Sequence, residues 1–198
     1  MRLAVLVSGS GTILEAMVEA GVEITLVASD RSCRATEVAR RSGLATTLVA
    51  RADFGGFSAE FDRRGYTLAL TAVLVEHGID LVAMAGFGTV VSGDLHEAFP
   101  GRILNTHPSL LPDFKGWHAV EATLAAGVDE TGCTVHVATE ALDDGPILAQ
   151  RRVPVLASDD AASLHERIKT VERVLYPEVI ARVMASLARG DDFPAKES

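Results

Sequence analysis

Five short runs of mainly aliphatic residues alternate with amphipathic segments along the first two thirds of the chain. The runs lie at residues 3–7, 24–28, 46–49, 81–85 and 103–105. The other segments carry apolar residues at helical spacing, at 13–20, 34–42, 58–77 and 118–126, and several are followed by glycine. This alternation predicts an α/β fold with a mostly parallel sheet and helices on both faces.

The pattern changes after Gly127. Residues 133–139 alternate as a half-buried strand, and residues 147–155 form a second run that can pair beside it. The sheet is therefore expected to gain antiparallel strands in its C-terminal part. A long final helix is predicted over residues 160–188, with Pro177 as a kink.

The charge and the length of the chain restrict its partners. Among 198 residues, 18 are Lys or Arg and 27 are Asp or Glu, which gives a formal net charge of −9. Such a charge opposes non-specific binding to nucleic acid. No apolar run approaches the roughly 20 residues that are needed to cross a membrane. We expect a cytoplasmic protein without nucleic-acid or membrane partners, folded as one domain over residues 1–189 with a flexible tail over 190–198.

A glycine loop, Ser8-Gly-Ser-Gly-Thr12, joins the first predicted strand to the first predicted helix. Backbone N–H groups and the helix dipole bind anions at such a position. A dinucleotide fingerprint requires a third glycine where this chain has Leu14, and no Gly-Lys-Ser/Thr sequence follows as in a Walker A motif. A single phosphate is the better ligand, and a tight turn that binds nothing stays open. Asp30, after the second run, fits either a ribose contact or the N-cap of the helix near Arg34.

Asn105 and His107 lie two positions apart at the end of the fifth run, in the sequence NTHPSLLP. Side chains at this spacing project from the same face of a strand, and Pro108 ends the strand. The carboxyl edge of an α/β sheet is where such folds bind ligands. Asp143 and Asp144, in the loop between the two late strands, can return to this edge, where one of them can hold His107 in its charged form.

The other histidines have structural explanations. His136 alternates into a strand as a hydrogen-bonded core histidine would, His96 precedes an exposed turn, and His165 lies on the last helix. No two histidines have the His-x-x-x-His spacing, and neither cysteine lies near a histidine in a zinc-finger arrangement. No metal site is therefore expected.

Several segments match one known family in order and spacing. They are the glycine loop, LVAMAGF, NTHPSLLP followed by FKG, TGCTVHVAT, LDDGPI, and the late IKTVE with Tyr176-Pro177. Together they resemble the glycinamide ribonucleotide formyltransferases of purine synthesis over nearly the whole chain. The resemblance implies a Rossmann-like fold with a nucleotide-binding half over residues 1–104 and a catalytic and folate half over 105–189.

The same resemblance implies substrates and site residues. The co-substrate would be 10-formyltetrahydrofolate and the acceptor glycinamide ribonucleotide, and a homodimer is left open. The catalytic residues would be Asn105, His107 and Asp143. The phosphate and ribose would contact Gly9, Gly11, Thr12, Ile13 and Glu172. The folate would contact Phe87, Gly88, Thr89, Val90, Val91, Leu104, Thr139 and Glu140.

The chemistry of these residue types agrees with formyl transfer, which passes through a tetrahedral carbon whose oxygen becomes negative. The Asn105 amide and a protonated His107 can donate to that oxyanion, and loss of one such donor costs about 2.7–4 kcal/mol. A water held by Asp143 and His107 can carry a proton from the attacking amine to the folate nitrogen. Neither a metal nor a covalent intermediate is required.

Two relatives share this core. Formyltetrahydrofolate deformylase typically reads HHS, and methionyl-tRNA formyltransferase HGS, where this chain has His107-Pro-Ser109. Pro108 therefore favours the ribonucleotide enzyme. A deformylase-like hydrolase is the alternative, and a non-catalytic nucleotide-binding domain that rests on the glycine turn alone is a further one.

The chain departs from the family pattern at two places. Ile13 stands where the family often has Asn, so a side-chain contact to the phosphate is lost. Gly88-Thr89 stands where the family commonly has Met-Arg. Because the resemblance places that arginine near the folate's glutamate tail, a weaker hold on the tail is expected.

Overall fold

One seven-stranded sheet organises residues 1–191 and 193, the part of the chain that the computed structural model describes. The strands are β1 Leu3–Val7, β2 Leu26–Ser29, β3 Thr46–Leu48, β4 Leu81–Met84, β5 Ile103–His107, β6 Glu130–Val137 and β7 Ile147–Pro154. The helices are α1 Thr12–Glu19, α2 Arg34–Arg41, α3 Arg63–Glu76, α4 Gly93–Ala98, α5 Ala119–Ala126 and α6 Ala161–Ala188. A short 3-10 helix, Arg51–Phe54, follows β3.

The strand order is β3-β2-β1-β4-β5-β6-β7. The first five strands pair in parallel, and β6 and β7 add to β5 as antiparallel strands. The predicted fold class is therefore confirmed, including the antiparallel extension. The bounds of β1 match the predicted run, because all five of its residues are buried and give a continuous apolar signal.

Helices cover both faces of the sheet, as expected. Neighbouring residues of β1 point to opposite faces: Val5 packs with residues of α1, α2 and α6, whereas Leu6 packs with residues of α3 and α4. The two faces are thus separate cores, and the edge above β1, β4 and β5 lies between them.

The helix bounds on the α3 and α4 face differ from the prediction. Helix α3 begins at Arg63 and not near residue 58, because the Asp62 side chain accepts a hydrogen bond from the backbone N–H of Gly65 at 2.8 Å and caps the first turn. Helix α4 was not predicted. It has only six residues, and its contacts are tertiary, such as the ion pair between Arg64 and Asp94.

Asp30 does not cap α2, so that interpretation is wrong. The N-cap position is Cys33, which makes no capping side-chain hydrogen bond. The Asp30 carboxylate instead accepts two hydrogen bonds from Arg31, at 2.9 and 2.8 Å, and one from the Thr89 hydroxyl at 2.7 Å. Burial opposes the ionisation of this carboxyl group, but the hydrogen bonds from Arg31, Thr89 and Ser8 outweigh it and lower its pKa.

The C-terminal part follows the predicted order. Helix α6 continues through Pro177 and ends at Ala188. Most of the tail expected at 190–198 falls on residues 192 and 194–198, which lie outside the described part of the chain. Within the described part, no helix has both the length and the apolar character needed to cross a membrane.

Two tyrosines are fully buried but differ in their hydrogen bonding. The Tyr176 hydroxyl on α6 donates to the Leu104 carbonyl of β5 at 2.9 Å. The Tyr66 hydroxyl on α3 has no hydrogen-bond partner among the described residues. Helix α6 is thus fixed to β5 by a polar contact inside the core, whereas α3 is held by packing alone at Tyr66.

We predict that Tyr176→Phe lowers the free energy of unfolding by about 1 kcal/mol, because it removes a buried hydrogen bond and leaves the Leu104 carbonyl with one acceptor site unused. Tyr66→Phe is the matched control and should leave stability unchanged or raise it. Urea unfolding followed by circular dichroism measures both. Equal losses in the two variants would contradict this interpretation.

Candidate active site

A cavity of about 470 Å³ opens at the carboxyl edge of the parallel strands. The predicted site residues that line it are Gly9, Gly11, Thr12, Ile13, Phe87, Gly88, Thr89, Val90, Val91, Asn105, His107, Thr139, Glu140, Asp143 and Glu172. Leu104 does not line it, because its side chain is fully buried in the core behind β5. The topology therefore brings the three predicted groups of site residues to one cavity.

The Asp143 carboxylate is buried in the wall of this cavity. One of its oxygens, Oδ2, accepts a hydrogen bond from the backbone N–H of Gly116 at 2.9 Å and lies 3.3 Å from Nδ1 of His107. The other oxygen, Oδ1, lies 3.6 Å from Nε2 of His136. Asp144 is different, since its side chain is 59% exposed and pairs with Lys115. Of the two candidate carboxylates, Asp143 is therefore the one that contacts His107.

His107 has a hydrogen-bond acceptor at each ring nitrogen. Nδ1 faces the Asp143 carboxylate, and Nε2 lies 2.8 Å from the carbonyl oxygen of Phe114. Both partners can only accept, so the ring satisfies both only when each nitrogen carries a hydrogen. The charged form of His107 expected from the sequence stays a prediction.

Sequence reasoning missed His136 as a site residue. It lies directly opposite Asn105 in the antiparallel pairing of β5 and β6, and its Nε2 is 3.4 Å from the Asn105 amide nitrogen. Its alternation in β6 is visible in the sequence, but the register that places it opposite Asn105 is not. The other ring nitrogen, Nδ1, lies 3.0 Å from the Val137 carbonyl oxygen.

The His136 ring has the properties of a neutral imidazole. Burial lowers its pKa below the ordinary value, and the charge of His107 acts in the same direction, whereas the Val137 carbonyl and Asp143 act against them. A neutral ring that donates from Nδ1 to Val137 has an acceptor at Nε2 for one N–H of Asn105. The second N–H of the Asn105 amide then remains for a ligand in the cavity.

The two glycines of the glycine loop have different roles. Gly11 has φ +76°, and a Cβ atom there would lie 2.7 Å from the backbone Cα of Ala35, so the packing of α2 requires glycine. A Cβ atom at Gly9 would meet nothing within 4 Å. Gly11 is also the N-cap of α1 without a side-chain cap, which leaves the first backbone N–H groups available to an anion. Ile13 is buried in the core, so only its backbone can contact such a ligand.

Three polar residues of α6 line the cavity: His165, Lys169 and Glu172. Their spacing of four and three residues puts them on one helical face. This spacing is visible in the sequence and is the signal that points to His165 and Lys169. Burial raises the pKa of Glu172, although the Thr106 hydroxyl, Lys169 and Arg173 act against this.

Residues 85–91, which follow β4, line the side of the cavity opposite α6, together with His96 of α4 and Glu140. His96 was expected beside an exposed turn, but it is half-buried in the cavity wall. Burial lowers its pKa, and the nearby Glu140 acts against this shift. Over residues 1–191 and 193, no group of three or more His, Cys, Asp and Glu side chains is arranged to hold a metal ion.

Comparisons with known proteins agree with one another. The family model described as formyl transferase matches residues 1–180. The phosphoribosylglycinamide formyltransferase of Mycobacterium tuberculosis is 43% identical over 185 residues, which cover 91% of this chain and 83% of that protein. The human trifunctional purine biosynthetic protein adenosine-3 is 38% identical over 189 residues, which cover 92% of this chain but 18% of that protein.

Solved structures give the same result. The structure of glycinamide ribonucleotide transformylase 1 from Symbiobacterium toebii superposes with a TM-score of 0.83 at 40% identity, and the match covers 91% of this chain and 85% of that one. Phosphoribosylglycinamide formyltransferase from Streptococcus pneumoniae superposes with a TM-score of 0.84 at 35% identity, covering 92% and 98%.

We predict that Asp143→Asn lowers the pKa of His136 further, because the substitution removes a negative charge that favours the protonated ring. The ring would then stay neutral to a lower pH. An NMR titration of the histidine ring resonances measures this, with Asp144→Asn as the control that leaves the titration of His136 unchanged. An unchanged or raised pKa in Asp143→Asn would show that Asp143 does not act on His136.

Proposed function

Because the chain belongs to the formyl transferase family, we propose that it transfers a formyl group from 10-formyltetrahydrofolate to the amine of glycinamide ribonucleotide in purine biosynthesis. The observation that carries this proposal is the cluster of Asn105, His107, His136 and Asp143 inside one cavity. It combines amide and imidazolium donors with a buried carboxylate, which is the chemistry that formyl transfer needs.

The first step forms a bond between the amine nitrogen of the ribonucleotide and the formyl carbon. The electron pair of the carbonyl bond moves to oxygen, and the resulting oxyanion requires donors. Asn105 supplies the N–H that is not directed at His136. The positive charge of His107 stabilises the oxyanion, and a direct hydrogen bond from Nε2 would replace its contact with the Phe114 carbonyl.

The second step re-forms the carbonyl bond and breaks the bond between the formyl carbon and N10 of the folate. The amine loses one proton and N10 gains one, so a proton carrier between the two nitrogens is needed. We assign this role to Asp143, which lies beside His107 and can act directly or through a water held by both. The Gly116 N–H bond and the packing around Asp143 keep the carboxylate in position.

The two substrates would enter from opposite faces of the sheet. The ribonucleotide phosphate would bind the N-terminus of α1, on the face that α1, α2 and α6 cover, with Glu172 at the ribose. The folate would bind along Phe87 to Val91, since Phe87 and Val91 pack on the α3 and α4 face. The predicted boundary between the two halves lies at residue 104, so Phe87 to Val91 belong to the nucleotide-binding half. In our proposal both halves therefore contact the folate.

We further propose that the protein works in the cytoplasm on these two small molecules, without nucleic-acid or membrane partners. The net charge of −9 supports this, because it opposes binding to polyanionic surfaces. No metal takes part in the proposed steps. A homodimer stays a prediction of the family resemblance.

The proposal is tested by an assay of formyl transfer with 10-formyltetrahydrofolate, in the presence and absence of glycinamide ribonucleotide. We expect formylated ribonucleotide and tetrahydrofolate in equal amounts, and little turnover without the acceptor. Release of formate that does not depend on the ribonucleotide would instead identify a deformylase-like hydrolase. Binding of the ribonucleotide without any turnover would identify a non-catalytic domain.

We predict that Asp143→Asn lowers turnover by about 10²-fold or more, because the substitution removes both the charge beside His107 and a proton carrier. Asp144→Asn is the matched control, since the Asp144 side chain is exposed and pairs with Lys115, and it should retain turnover within a few-fold. Steady-state kinetics with both substrates saturating measures the two variants. The reverse order of losses would exclude Asp143 from the catalytic step.

We predict that Gly9→Ala weakens ribonucleotide binding several-fold but leaves folate binding and stability unchanged, because the added methyl group enters open space at the proposed phosphate site. Gly11→Ala should instead destabilise the fold, since its Cβ would clash with Ala35. Titration calorimetry and thermal unfolding separate the two effects. Normal ribonucleotide affinity in Gly9→Ala would place the phosphate elsewhere.

A further inference from the structure

Arg51 is a half-buried cation that makes no direct ion pair within the described part of the chain. Its Nε donates to the Gly56 carbonyl at 2.6 Å, and its Nη1 donates to the Thr89 hydroxyl at 3.1 Å. Across residues 1–191 and 193, no carboxylate oxygen lies within 4 Å of its guanidinium group. A partly buried charge of this kind is costly unless a counter-ion or a ligand compensates it.

Two aromatic rings hold the guanidinium group in place. The centre of the Arg51 guanidinium lies 3.9 Å from the ring centroid of Phe61 and 4.2 Å from that of Phe57. Arg31 lies over the same Phe57 ring at 4.5 Å. Phe57 is 69% exposed, so the two arginines and this ring, the Arg51 cluster, reach the surface. Stacked guanidinium groups are rigid and suited to planar recognition of carboxylates.

The charges of this cluster do not cancel. Asp30 compensates Arg31 through two hydrogen bonds, and its remaining capacity is used by the Thr89 hydroxyl. Thr89 accepts from Arg51 and donates to Asp30, so it connects the two arginines without neutralising Arg51. The result is one net positive charge at a fixed position in a protein whose overall charge is −9.

The Arg51 cluster lies behind the cavity wall on the side of the α3 and α4 core. Thr89 lines the cavity and contacts Arg51 directly. A Cβ atom on Gly88, the preceding wall residue, would lie 3.4 Å from Nη2 of Arg31. The stacked ring of Phe61 packs on the same core as Phe87 and Val91, whereas Ile13 and Leu14 at the start of α1 pack on the other core.

We propose that Arg51, supported by Arg31 and Phe57, forms an anion-binding subsite next to the cavity wall at Thr89 and binds a tail carboxylate of the folate co-substrate. This inference rests on the proposed function, because it requires the folate to lie along Phe87 to Val91. A folate carries its carboxylates at the end distant from the pterin, and a ring held at Phe87 to Val91 can extend past Thr89 toward the cluster. The Nη2 group of Arg51, which makes none of the hydrogen bonds above, is the donor for that carboxylate.

The subsite would determine which folates the protein prefers. Each added glutamate brings a further carboxylate to the cluster, so affinity should rise with the number of glutamates. The gain should decrease with salt, since the cluster is partly exposed. Arg51 could instead have a purely structural role and hold residues 51–56 together through its hydrogen bond to the Gly56 carbonyl. In that case its loss would lower stability and would weaken the binding of all ligands equally.

The experiment compares binding of three non-transferring reduced ligands: a pteroate whose benzoate carboxyl is capped as an amide and which lacks glutamate, the monoglutamate and the pentaglutamate. Wild type, Arg51→Gln, Arg51→Lys and Arg64→Gln are titrated at two ionic strengths. Arg64 is the matched control, because it is an exposed arginine on α3 that pairs with Asp94. Thermal unfolding shows whether each variant is folded, and Arg51→Lys keeps the charge if the glutamine variant unfolds.

We expect Arg51→Gln to bind the two glutamate-bearing ligands about 3–10-fold more weakly while pteroate affinity stays within about twofold. In Arg51→Gln the preference for the pentaglutamate should also depend less on salt concentration. Arg51→Lys should retain part of the preference, and Arg64→Gln should behave as wild type.

Three outcomes would overturn the inference and leave the proposed function intact. They are an equal loss for pteroate and pentaglutamate, a loss in Arg64→Gln in place of Arg51→Gln, and a loss of ribonucleotide affinity alone, which would assign the anion to the phosphate of the other substrate. If folded wild-type protein binds none of the three folates, the proposed function fails, and the inference fails with it.

Discussion

The buried carboxylate of Asp143 is the interaction on which the geometry of the site depends. A carboxylate removed from water has to be hydrogen-bonded or paired, because an unpaired one costs several kcal/mol. Here Oδ2 accepts a hydrogen bond from the Gly116 N–H and faces Nδ1 of His107, while Oδ1 lies 3.6 Å from Nε2 of His136. These three neighbours belong to three different segments of the chain. Asp143 itself has φ +52°, a conformation that aspartate tolerates better than most residues. One charge therefore determines where two histidines and two loops lie.

The antiparallel direction of β6 explains how this charge reaches the carboxyl edge. β6 ends beside Leu104, near the start of β5, so residues 138–146 must fold back before Asp143 can meet His107. Gly145 permits this return, because a Cβ atom there would lie 1.8 Å from the Val137 carbonyl oxygen. The Val137 N–H then donates to Pro146 at 2.9 Å and closes the turn. The same pairing puts His136 opposite Asn105, so strand direction, loop path and site geometry have one cause.

The sequence predicts the elements whose signal is local and misses those that depend on tertiary contacts. β1 can be predicted because its five residues, all buried, form a continuous apolar run in the sequence. Helix α6 begins with a capping box at Asp160 and Ser163, and its apolar spacing is long and regular. Helix α4 could not be found in this way, since six residues give too few turns for periodicity to show. Asn105 and His107 were identified by their spacing, whereas His136 needed a register that only the folded sheet provides.

The small residues Gly88 and Thr89 are packed against the charged side chains of Asp30 and Arg31. Ser8 already accepts a hydrogen bond from the Gly88 N–H at 2.7 Å, and a Cβ atom at position 88 would be in contact with Nη2 of Arg31, at 3.4 Å. Thr89 is 3% exposed, and its hydroxyl is committed to Asp30. A long charged side chain at position 89 would have to leave this interior and would remove a donor from a buried carboxylate. The departure from the family's Met-Arg pattern is therefore more than the loss of one arginine. Two other arginines, Arg31 and Arg51, contact positions 88 and 89 in this chain.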